Sequence, residues 1–287
     1  MNSRNKVLFA IMVFVWSLNW SVMKVGLENA PPFTFNYHRF LLSFVFGVAL
    51  LFLFKSKVPR DSKTLLALLI YGLLTSVGFT FTAVGLVSVS SGIGAVLTYT
   101  QPLWILILAV FFLNEKLSLL KVFGTILGFL GLLILFLEEL GSIMSFPALI
   151  LVAGAALWSM GIVYYKVKLQ NVDAVVASLS YTSLSTLISF VMGIFFEPPF
   201  TSWSPNYIAT IAYCGILSTG IGMTIWVFLV KKENTTSLSS SSMIVPMIAL
   251  FFGWILLGEE LGVQSLIGSA LIIFSTYLVN MKGKHKK

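Results

Sequence analysis

Long apolar stretches follow one another along the whole chain and are separated by short polar connections. A helix needs roughly 17–25 mostly apolar residues to cross about 30 Å of hydrocarbon, because backbone polar groups inside a bilayer must bond to each other. Ten stretches meet this requirement, near 7–25, 33–54, 64–85, 91–112, 119–137, 145–165, 173–196, 206–230, 237–257 and 264–281. The pattern predicts an all-α membrane protein with ten transmembrane helices and no separate soluble domain.

Residues with strong structural preferences recur at a constant distance in the two halves of the chain. Five pairs lie 144 residues apart: Pro102 and Pro246, Glu115 and Glu259, Gly124 and Gly268, Thr75 and Thr219, and Gly78 and Gly222. Two pairs near the start of each half lie 142 residues apart: Trp16 and Trp158, and Lys24 and Lys166. The chain is therefore predicted to consist of two five-helix repeats, residues 1–140 and residues 141–287.

The odd number of helices in each repeat determines how the repeats are oriented. After five crossings the chain is on the other side of the membrane, so the second repeat enters the bilayer from the side opposite to the first. Corresponding loops also differ in charge, since the basic 55–63 connection aligns with 197–205, which has no basic residue. The sequence thus predicts inverted repeats, which are typical of alternating-access transporters, and a small-molecule solute as the ligand.

Composition agrees with a polytopic membrane protein, since 58% of the residues are hydrophobic, 10% are charged, and the mean hydropathy is +0.98. The net charge of +8 would also suit a nucleic-acid-binding protein. However, the basic residues lie in short connections rather than on one face with interleaved aromatic residues, so no nucleic-acid partner is expected. The single cysteine, Cys214, excludes an internal disulfide.

The basic residues predict the orientation of the chain in the membrane. If the N-terminus is inside, 16 of the 18 Lys and Arg residues lie on the inner side, and only Lys24 and Arg39 lie on the outer side. The inner residues are Arg4, Lys6, Lys55, Lys57, Arg60, Lys63, Lys116, Lys121, Lys166, Lys168, Lys231, Lys232, Lys282, Lys284, Lys286 and Lys287. Because positive charge accumulates in cytoplasmic loops, we expect a multi-pass protein of the cell membrane with both termini in the cytoplasm.

Two prolines lie near the middle of the predicted helices 4 and 9. Pro102 and Pro246 each lack an N–H group and displace the carbonyl four residues earlier. Such carbonyls must be paired or face water, so the two kinked helices are candidate walls of a solute cavity. The polar neighbours that would line it are Tyr99 and Gln101 in helix 4, and Ser239 and Ser242 in helix 9. The alternative is that these polar groups only repair the kinks and help the helices to pack.

Helix 1 has a polar and aromatic face. Trp16, Asn19 and Trp20 follow a spacing of three and four residues, so they lie on one side of a helix. An amide can donate and accept hydrogen bonds, and indole rings can stack on a planar or cationic group. Trp158 is the aligned position in the second repeat and is a further candidate. The alternative for Asn19 is a bridge between helices, which contributes about 0.6 kcal/mol on average.

Arg39 lies inside predicted helix 2, roughly 9 Å from its outer end at the rise of an α-helix. An arginine at a helix centre costs about 2.5–3.5 kcal/mol on insertion scales, so it needs a function or a partner. It either holds a carboxylate or another anion of the solute, or makes a gate or structural contact with His38 as a partner.

The acidic residues and histidines limit which mechanisms and binding sites are expected. Asp and Glu are missing from the centres of the predicted helices, which argues against a buried carboxylate relay for protons. Glu115 and Glu259 are instead expected to bond helix-end turns to Lys or N–H groups. Two histidines cannot build a metal site, and there is neither a phosphate-binding glycine loop nor a Ser/His/Asp arrangement. We therefore expect no cofactor, no metal and no catalytic residues. The lipid bilayer is an expected partner, whereas no obligate protein partner is expected.

Several segments together resemble a known family. They are Trp16-Ser17, Asn19 and Lys24 in helix 1, Pro31-Pro32, Arg39-Phe40, the run from Gln101-Pro102 through Asn114-Glu115-Lys116-Leu117 to Gly124 and Gly128, and the second set Pro246, Gly258-Glu259-Glu260-Leu261 and Gly268. In these positions the chain resembles the EamA-type branch of the drug/metabolite transporter superfamily. The resemblance implies ten helices in two inverted repeats, a central cavity, and export or exchange of amino acids and other small metabolites.

The function that best fits these features is secondary transport without catalysis. We expect a facilitated carrier or exchanger that exports amino acids or similar small metabolites by alternating access. One alternative is a proton-coupled multidrug exporter, which would require a buried carboxylate. The other is a membrane-embedded enzyme or scaffold, which would require a clustered catalytic set or large soluble loops.

Overall fold

A computed structural model describes residues 1–89, 91–113, 115, 118–135, 137, 146–257 and 262–281, and these residues form helices without strands. We number the helices by predicted span: α1 (Ser3–Asn29), α2 (Pro32–Leu53), α3 (Ser62–Val87), α4 (Ser91–Thr98 and Gln101–Phe112), α5 (Leu119–Leu135), α6 (Phe146–Lys168), α7 (Ala174–Phe196), α8 (Pro205–Ala212, the π-helical segment Tyr213–Gly222, and Met223–Lys232), α9 (Thr235–Ser241 and Ile244–Leu257) and α10 (Val263–Asn280).

The helices match the predicted apolar stretches one for one. Within the described residues, nine helical segments are long and apolar enough to cross a membrane, and α5 is a shorter apolar helix. The all-helical, multi-pass character predicted from hydropathy is thus confirmed. The first helix begins at Ser3 rather than near residue 7, because the side chain of Asn2 accepts a hydrogen bond from the N–H of Asn5 and starts the helix earlier.

Polar caps determine where several helices begin. Asp61 starts α3, and its carboxylate accepts a hydrogen bond of 2.9 Å from the N–H of Thr64. This bond to the ionised form lowers the pKa of Asp61, which lies outside the membrane-spanning segments. Ser204 and Asn234 cap α8 and α9 in the same way. Each cap satisfies an N–H group that the first helical turn leaves free.

Glycines allow two pairs of helices to cross at very short distance. A Cβ atom added to Gly154 of α6 would lie 2.8 Å from the carbonyl oxygen of Gly78 in α3. A Cβ atom added to Gly268 of α10 would lie 2.6 Å from the carbonyl oxygen of Gly131 in α5. No larger side chain fits at these points, which is the usual reason for small residues between transmembrane helices. Each crossing joins one helix of the first half to one helix of the second half.

α5 and α10 run in opposite directions. Near one end of the pair, the Cβ position of Gly124 lies 2.7 Å from Val279; near the other end, Gly268 faces Gly131 and Leu135. Residue numbers therefore rise along α5 as they fall along α10. These two helices occupy the same place in the two sequence repeats.

The same relation holds for α2 and α7, the second helix of each half. The Cβ position of Gly47 lies 2.9 Å from Leu179, whereas that of Gly193 lies 3.6 Å from Thr34. The two helices are therefore antiparallel as well. Two pairs of corresponding helices thus point in opposite directions within the bundle.

Both ends of the described chain lie at one end of the bundle, which we call the terminal end. The side-chain amide of Asn5, at the start of α1, donates to the carboxylate of Glu233 at 2.5 Å, just after α8. At the start of α9, the hydroxyl of Ser237 donates to the carbonyl of Val279 near the end of α10 at 3.5 Å. The start of α1 and the end of α10 therefore lie at the same end of the bundle.

The glycine crossings generate a stability prediction. Gly268→Ala places a methyl group against the backbone of α5, and overpacking of this kind costs about 1–3 kcal/mol. We expect a lower midpoint of thermal unfolding for this variant in detergent. Gly193→Ala is the matched control, because its nearest neighbour would be at 3.6 Å, an ordinary contact distance. Equal midpoints for the two variants would show that the α5–α10 crossing is not closely packed.

Candidate functional site

A cavity of about 80 Å³ lies between helices of both halves. Six of the predicted residues line it: Trp16, Asn19, Trp20, Arg39, Tyr99 and Trp158. Trp16 and Trp158 are close to the middle of α1 and α6, and Tyr99 lies at the break in α4. The cavity is therefore near mid-depth of the bundle.

One wall of the cavity is aromatic. The ring of Trp16 lies 6.0 Å from that of Trp158, and Trp158 lies 5.6 Å from Phe79 of α3. Behind them, Trp226 of α8 is 5.5 Å from Trp16. Pairs of rings at such distances stabilise each other, so they form a rigid surface. Trp16 and Trp158, which match in the sequence repeat, meet at the centre of the molecule.

The rest of the cavity carries polar atoms that have no hydrogen-bond partner among the described residues. These atoms are Oδ1 of Asn19, Nε of Arg39, Oγ1 of Thr98 and Nε1 of Trp158. An unsatisfied buried polar group costs about 1–3 kcal/mol. Such groups are uncommon in native proteins and call for an explanation at each position. Here four of them belong to residues that line one cavity, which is the arrangement expected of a site that receives a polar ligand.

Arg39 is the buried cation of the site. Its side chain is 5% exposed, and its guanidinium lies 4.6 Å from the centre of the Phe40 ring. Nη1 contacts the sulfur of Met23 at 3.3 Å. Within the described residues, Arg39 forms no ion pair with an acidic side chain. Because a guanidinium offers two parallel N–H groups to a carboxylate, Arg39 is suited to hold an anionic group of a ligand.

His38 is not the partner of Arg39, which corrects one of the sequence-based expectations. Its Nδ1 atom is 2.7 Å from the hydroxyl of Tyr207, and its ring centre lies 4.9 Å from that of Trp203, with the two rings tilted by 53°. Neighbouring residues on a helix point in different directions, so Arg39 faces the cavity while His38 faces α8. Tyr207 and Trp203 belong to the end of the bundle opposite the terminal end.

Both proline-containing helices are interrupted just before the proline. α4 is interrupted at Tyr99 and Thr100, before Pro102, and α9 at residues 242 and 243, before Pro246. At the break in α4, the hydroxyl of Thr100 donates to the carbonyl of Leu97 at 2.7 Å.

Three of the predicted site residues do not line the cavity. The hydroxyl of Ser239 donates to Oε1 of Gln101 at 3.5 Å, which joins α9 to α4. The hydroxyl of Ser242 donates to the carbonyl of Ser239 at 2.7 Å, and Ser159 of α6 donates to the carbonyl of Gln101 at 3.2 Å. In this arrangement Gln101, Ser239 and Ser242 make contacts between and within helices. A binding role for them stays a prediction.

The cavity is also lined by residues outside the predicted set of site residues. They are Met23, Phe40, Phe79, Thr82, Thr98, Ser218, Thr219 and Met223. Ser218 and Thr219 lie in the π-helical segment of α8, where the carbonyl of Ser218 accepts a hydrogen bond of 3.2 Å from Nε1 of Trp16. π-helical segments are frequent at functional sites. The sequence features that could have pointed to Ser218 and Thr219 were the recurrence of Thr75 as Thr219 and the glycines at 215, 220 and 222.

Charged and polar contacts join several helices at the terminal end of the bundle. Glu115 accepts hydrogen bonds of 2.8 Å from the N–H of Thr235 and from the hydroxyl of Thr236, so it caps α9. The helix-end role predicted for Glu115 is thereby confirmed, while Glu259 lies outside the described residues. Lys166 donates to the carbonyls of Val230 at 2.7 Å and Glu233 at 2.9 Å. These contacts tie α6 and the loop after α4 to the α8–α9 connection.

Across the described residues, no group of three His, Cys, Asp or Glu side chains is placed to hold a metal ion. The polar groups of the cavity are amide, hydroxyl, indole and guanidinium groups, which bind organic ligands.

Comparison with known proteins decides the family. The profile of the EamA-like transporter family matches residues 5–137 and residues 145–281, which together make up nearly the whole chain. The chain belongs to the EamA-like transporter family. The two matched segments divide the chain where the sequence repeats meet.

Relatives of similar length support this assignment. The uncharacterized transporter YoaV of Bacillus subtilis (strain 168) is 28% identical over 95% of this chain and 96% of its own length. A protein of Salmonella typhimurium named a probable amino-acid metabolite efflux pump is 28% identical over 97% of this chain and 95% of its own length. Its Escherichia coli (strain K12) namesake is 27% identical over the same shares.

One solved structure superimposes on the chain with a TM-score of 0.83, covering 98% of this chain and 97% of that one. At 20% sequence identity, this similarity shows that the fold is shared. The EamA-like chain is thus a multi-pass membrane protein with a known helical fold.

The cavity generates a prediction for helix α1. Loss of one neutral hydrogen bond costs about 0.5–1.5 kcal/mol, and loss of an aromatic contact costs a comparable amount. Asn19→Ala and Trp20→Ala should therefore each raise the half-saturating solute concentration roughly threefold to tenfold, measured as uptake into proteoliposomes. Phe14→Ala is the control on the same helix, because Phe14 is 57% exposed and does not line the cavity. Unchanged affinity in both cavity variants would place the solute elsewhere.

Proposed function

We propose that this EamA-like chain is a secondary transporter, a facilitated carrier or exchanger, that exports amino acids or similar small metabolites by alternating access. The observation that carries the proposal is the mid-depth cavity. Its walls come from both halves, and four of its polar atoms have no partner among the described residues. The names of the Salmonella typhimurium and Escherichia coli relatives support amino-acid metabolites as the solute class.

The groups around the cavity complement a zwitterionic solute. The guanidinium of Arg39 would hold the carboxylate, and the faces of Trp16 and Trp20 would receive an ammonium or apolar group. The free Oδ1 atom of Asn19 and the hydroxyl of Thr98 add hydrogen-bonding positions of fixed direction. Binding of the solute would therefore satisfy polar atoms that are otherwise unpaired.

The size of the cavity favours a small metabolite over a drug. Pockets for drug-sized ligands measure roughly 300–1,000 Å³, whereas this cavity has a volume of about 80 Å³. A multidrug exporter would also require a carboxylate to attract cationic drugs, and the described side chains that line the cavity include no Asp or Glu.

The antiparallel pairing of corresponding helices supports two inverted repeats, residues 1–140 and residues 141–287. If the second half is the first half turned over in the membrane, then helices that match in sequence must point in opposite directions. α2 with α7, and α5 with α10, have this relation. The positive-inside charge pattern supports a cell-membrane protein whose terminal end faces the cytoplasm.

Two lysines that match in the repeats are used differently at the two ends. Lys166 binds carbonyls at the end of α8 and closes the terminal end. Lys24 is exposed and has no partner among the described residues, although it borders a cavity of about 260 Å³ that is lined by Leu86 and Val89. In the sequence repeat, those two residues align with Val230 and Glu233, whose carbonyls Lys166 binds. We infer that Lys166 closes the terminal end in one state of the transport cycle, and that Lys24 closes the opposite end in the other state.

This difference predicts opposite effects of two matched substitutions. Lys166→Met should destabilise the state described here, and Lys24→Met should destabilise the opposite state. The reporter is Ser218→Cys in the cavity, on a Cys214→Ser background, labelled with a membrane-impermeant maleimide from the side opposite the terminal end. Hydrogen bonds to a charged group contribute roughly 1.5–3 kcal/mol. We therefore expect labelling to fall about tenfold in Lys166→Met and to stay equal or rise in Lys24→Met. A change in the same direction in both variants would contradict alternating closure.

The lack of an acidic residue in the cavity wall predicts how transport is driven. In proteoliposomes, an outward gradient of unlabelled amino acid should drive counterflow of labelled amino acid, with little response to an imposed pH gradient. His38 is the residue to test, since histidine ionises near a pH of roughly 6.5. It lies beside Tyr207 rather than in the cavity. Accumulation that depends on a pH gradient and is lost in His38→Ala would show proton coupling, and the lack of counterflow for all amino acids would refute the proposed solute class.

A further inference from the structure

A second and larger groove, of about 670 Å³, lies at the terminal end between α1, α2, α7 and α8. It shares no lining residue with the mid-depth cavity. Its volume falls in the range of pockets that hold organic ligands, roughly 300–1,000 Å³. The groove opens at the terminal end of the bundle and extends from there between the helices.

The depth of the groove is apolar. Phe46 and Leu50 line it from one face of α2, and Phe54 lines it just after the end of this helix. On α8 the lining runs from Ile221 to Lys232, a length of about 16 Å at helical rise. The groove is therefore elongated along the helices and parallel to the expected direction of lipid chains.

The single hydroxyl inside this stretch of α8 is already bonded. Thr224 donates to the carbonyl of Gly220 at 2.6 Å and contacts the hydroxyl of Ser178 at 3.1 Å. A polar solute would therefore find little to bind in the depth of the groove. A hydrocarbon chain fits this surface better.

The mouth of the groove is basic. Arg4, Lys231 and Lys232 line it together with one acidic residue, Asp173. Asp173 is engaged as the cap of α7, since it accepts a hydrogen bond of 2.8 Å from the N–H of Val175. Lys231 donates to the carbonyl of Val172 at 3.1 Å, so its position is held by the protein.

Two of the cations at the mouth remain available. Arg4 and Lys232 are exposed, and the guanidinium of Arg4 lies over the ring of Phe228 at 5.7 Å. The hydroxyl oxygen of Ser56, also a lining residue, is buried and has no partner among the described residues. The mouth therefore combines two free positive charges and one unpaired hydroxyl, which together suit a phosphate group.

We propose that this groove binds an anionic phospholipid. The phosphate of the headgroup contacts Arg4, Lys232 and Ser56, and one acyl chain lies along the apolar faces of α2 and α8. Basic residues at the cytoplasmic ends of transmembrane helices attract anionic headgroups, and the terminal end carries most of the basic residues of the chain. The proposal is independent of the solute and of the direction of transport.

Lipid titration of the purified full chain in detergent, read by native mass spectrometry, tests the proposal. The probe is dioleoylphosphatidylglycerol, and the neutral comparison is dioleoylphosphatidylcholine, which has the same acyl chains. We expect the anionic lipid to bind more tightly to the wild-type chain. Each basic residue near an anionic headgroup corresponds to a roughly fivefold change in binding constant. The double variant Arg4→Gln/Lys232→Gln should therefore weaken its binding about 25-fold.

Two controls separate the groove from general charge attraction. Arg60→Gln/Lys63→Gln removes the same charge from exposed residues outside the groove and should leave the affinity unchanged. Leu50→Trp fills the groove without changing charge and should weaken binding of the anionic lipid at least fivefold. Equal binding of both lipids, equal losses in the two charge variants, or full competition by soluble glycerol phosphate would overturn the proposal.

Discussion

The interior of a membrane protein offers no water to polar groups, so every hydrogen-bonding atom there needs a partner within the protein or in a ligand. Most of this chain satisfies that requirement locally. Ser17, Thr80 and Thr182 each donate to a carbonyl four residues earlier on their own helix. Four buried polar atoms without a partner among the described residues nonetheless belong to side chains that line the mid-depth cavity. Because these side chains share one cavity, a single polar ligand would supply partners that helix packing does not.

Part of this site follows from the sequence because helical periodicity is reliable in unbroken helices. Trp16, Asn19 and Trp20 lie on one face of α1, which the structure describes as a continuous helix from Ser3 to Asn29. Their spacing therefore predicted that they share a surface. The apolar stretches similarly predicted all the helices, since their length is set by the thickness of the bilayer.

Periodicity was less informative where helices are irregular. The interruption before Pro102 turns Tyr99 towards the cavity and Gln101 towards α6 and α9, and no helical wheel predicts this. In α8, the π-helical turn carries more residues than an α-helical turn, so the face that Ser218 and Thr219 present differs from that of a regular helix. The partners of a buried arginine also depend on the tertiary arrangement: Arg39 contacts Met23 and Phe40, whereas its neighbour His38 contacts another helix.

The glycine crossings have a consequence for the moving parts of a transporter. Gly78 with Gly154, and Gly131 with Gly268, bring backbones of the two halves so close together that the halves cannot separate there without losing tight packing. Under the proposed alternating-access mechanism, the two helices of each crossing would therefore stay in contact throughout the motion. In that case α3 would move together with α6, and α5 together with α10, so each moving unit would contain helices of both halves.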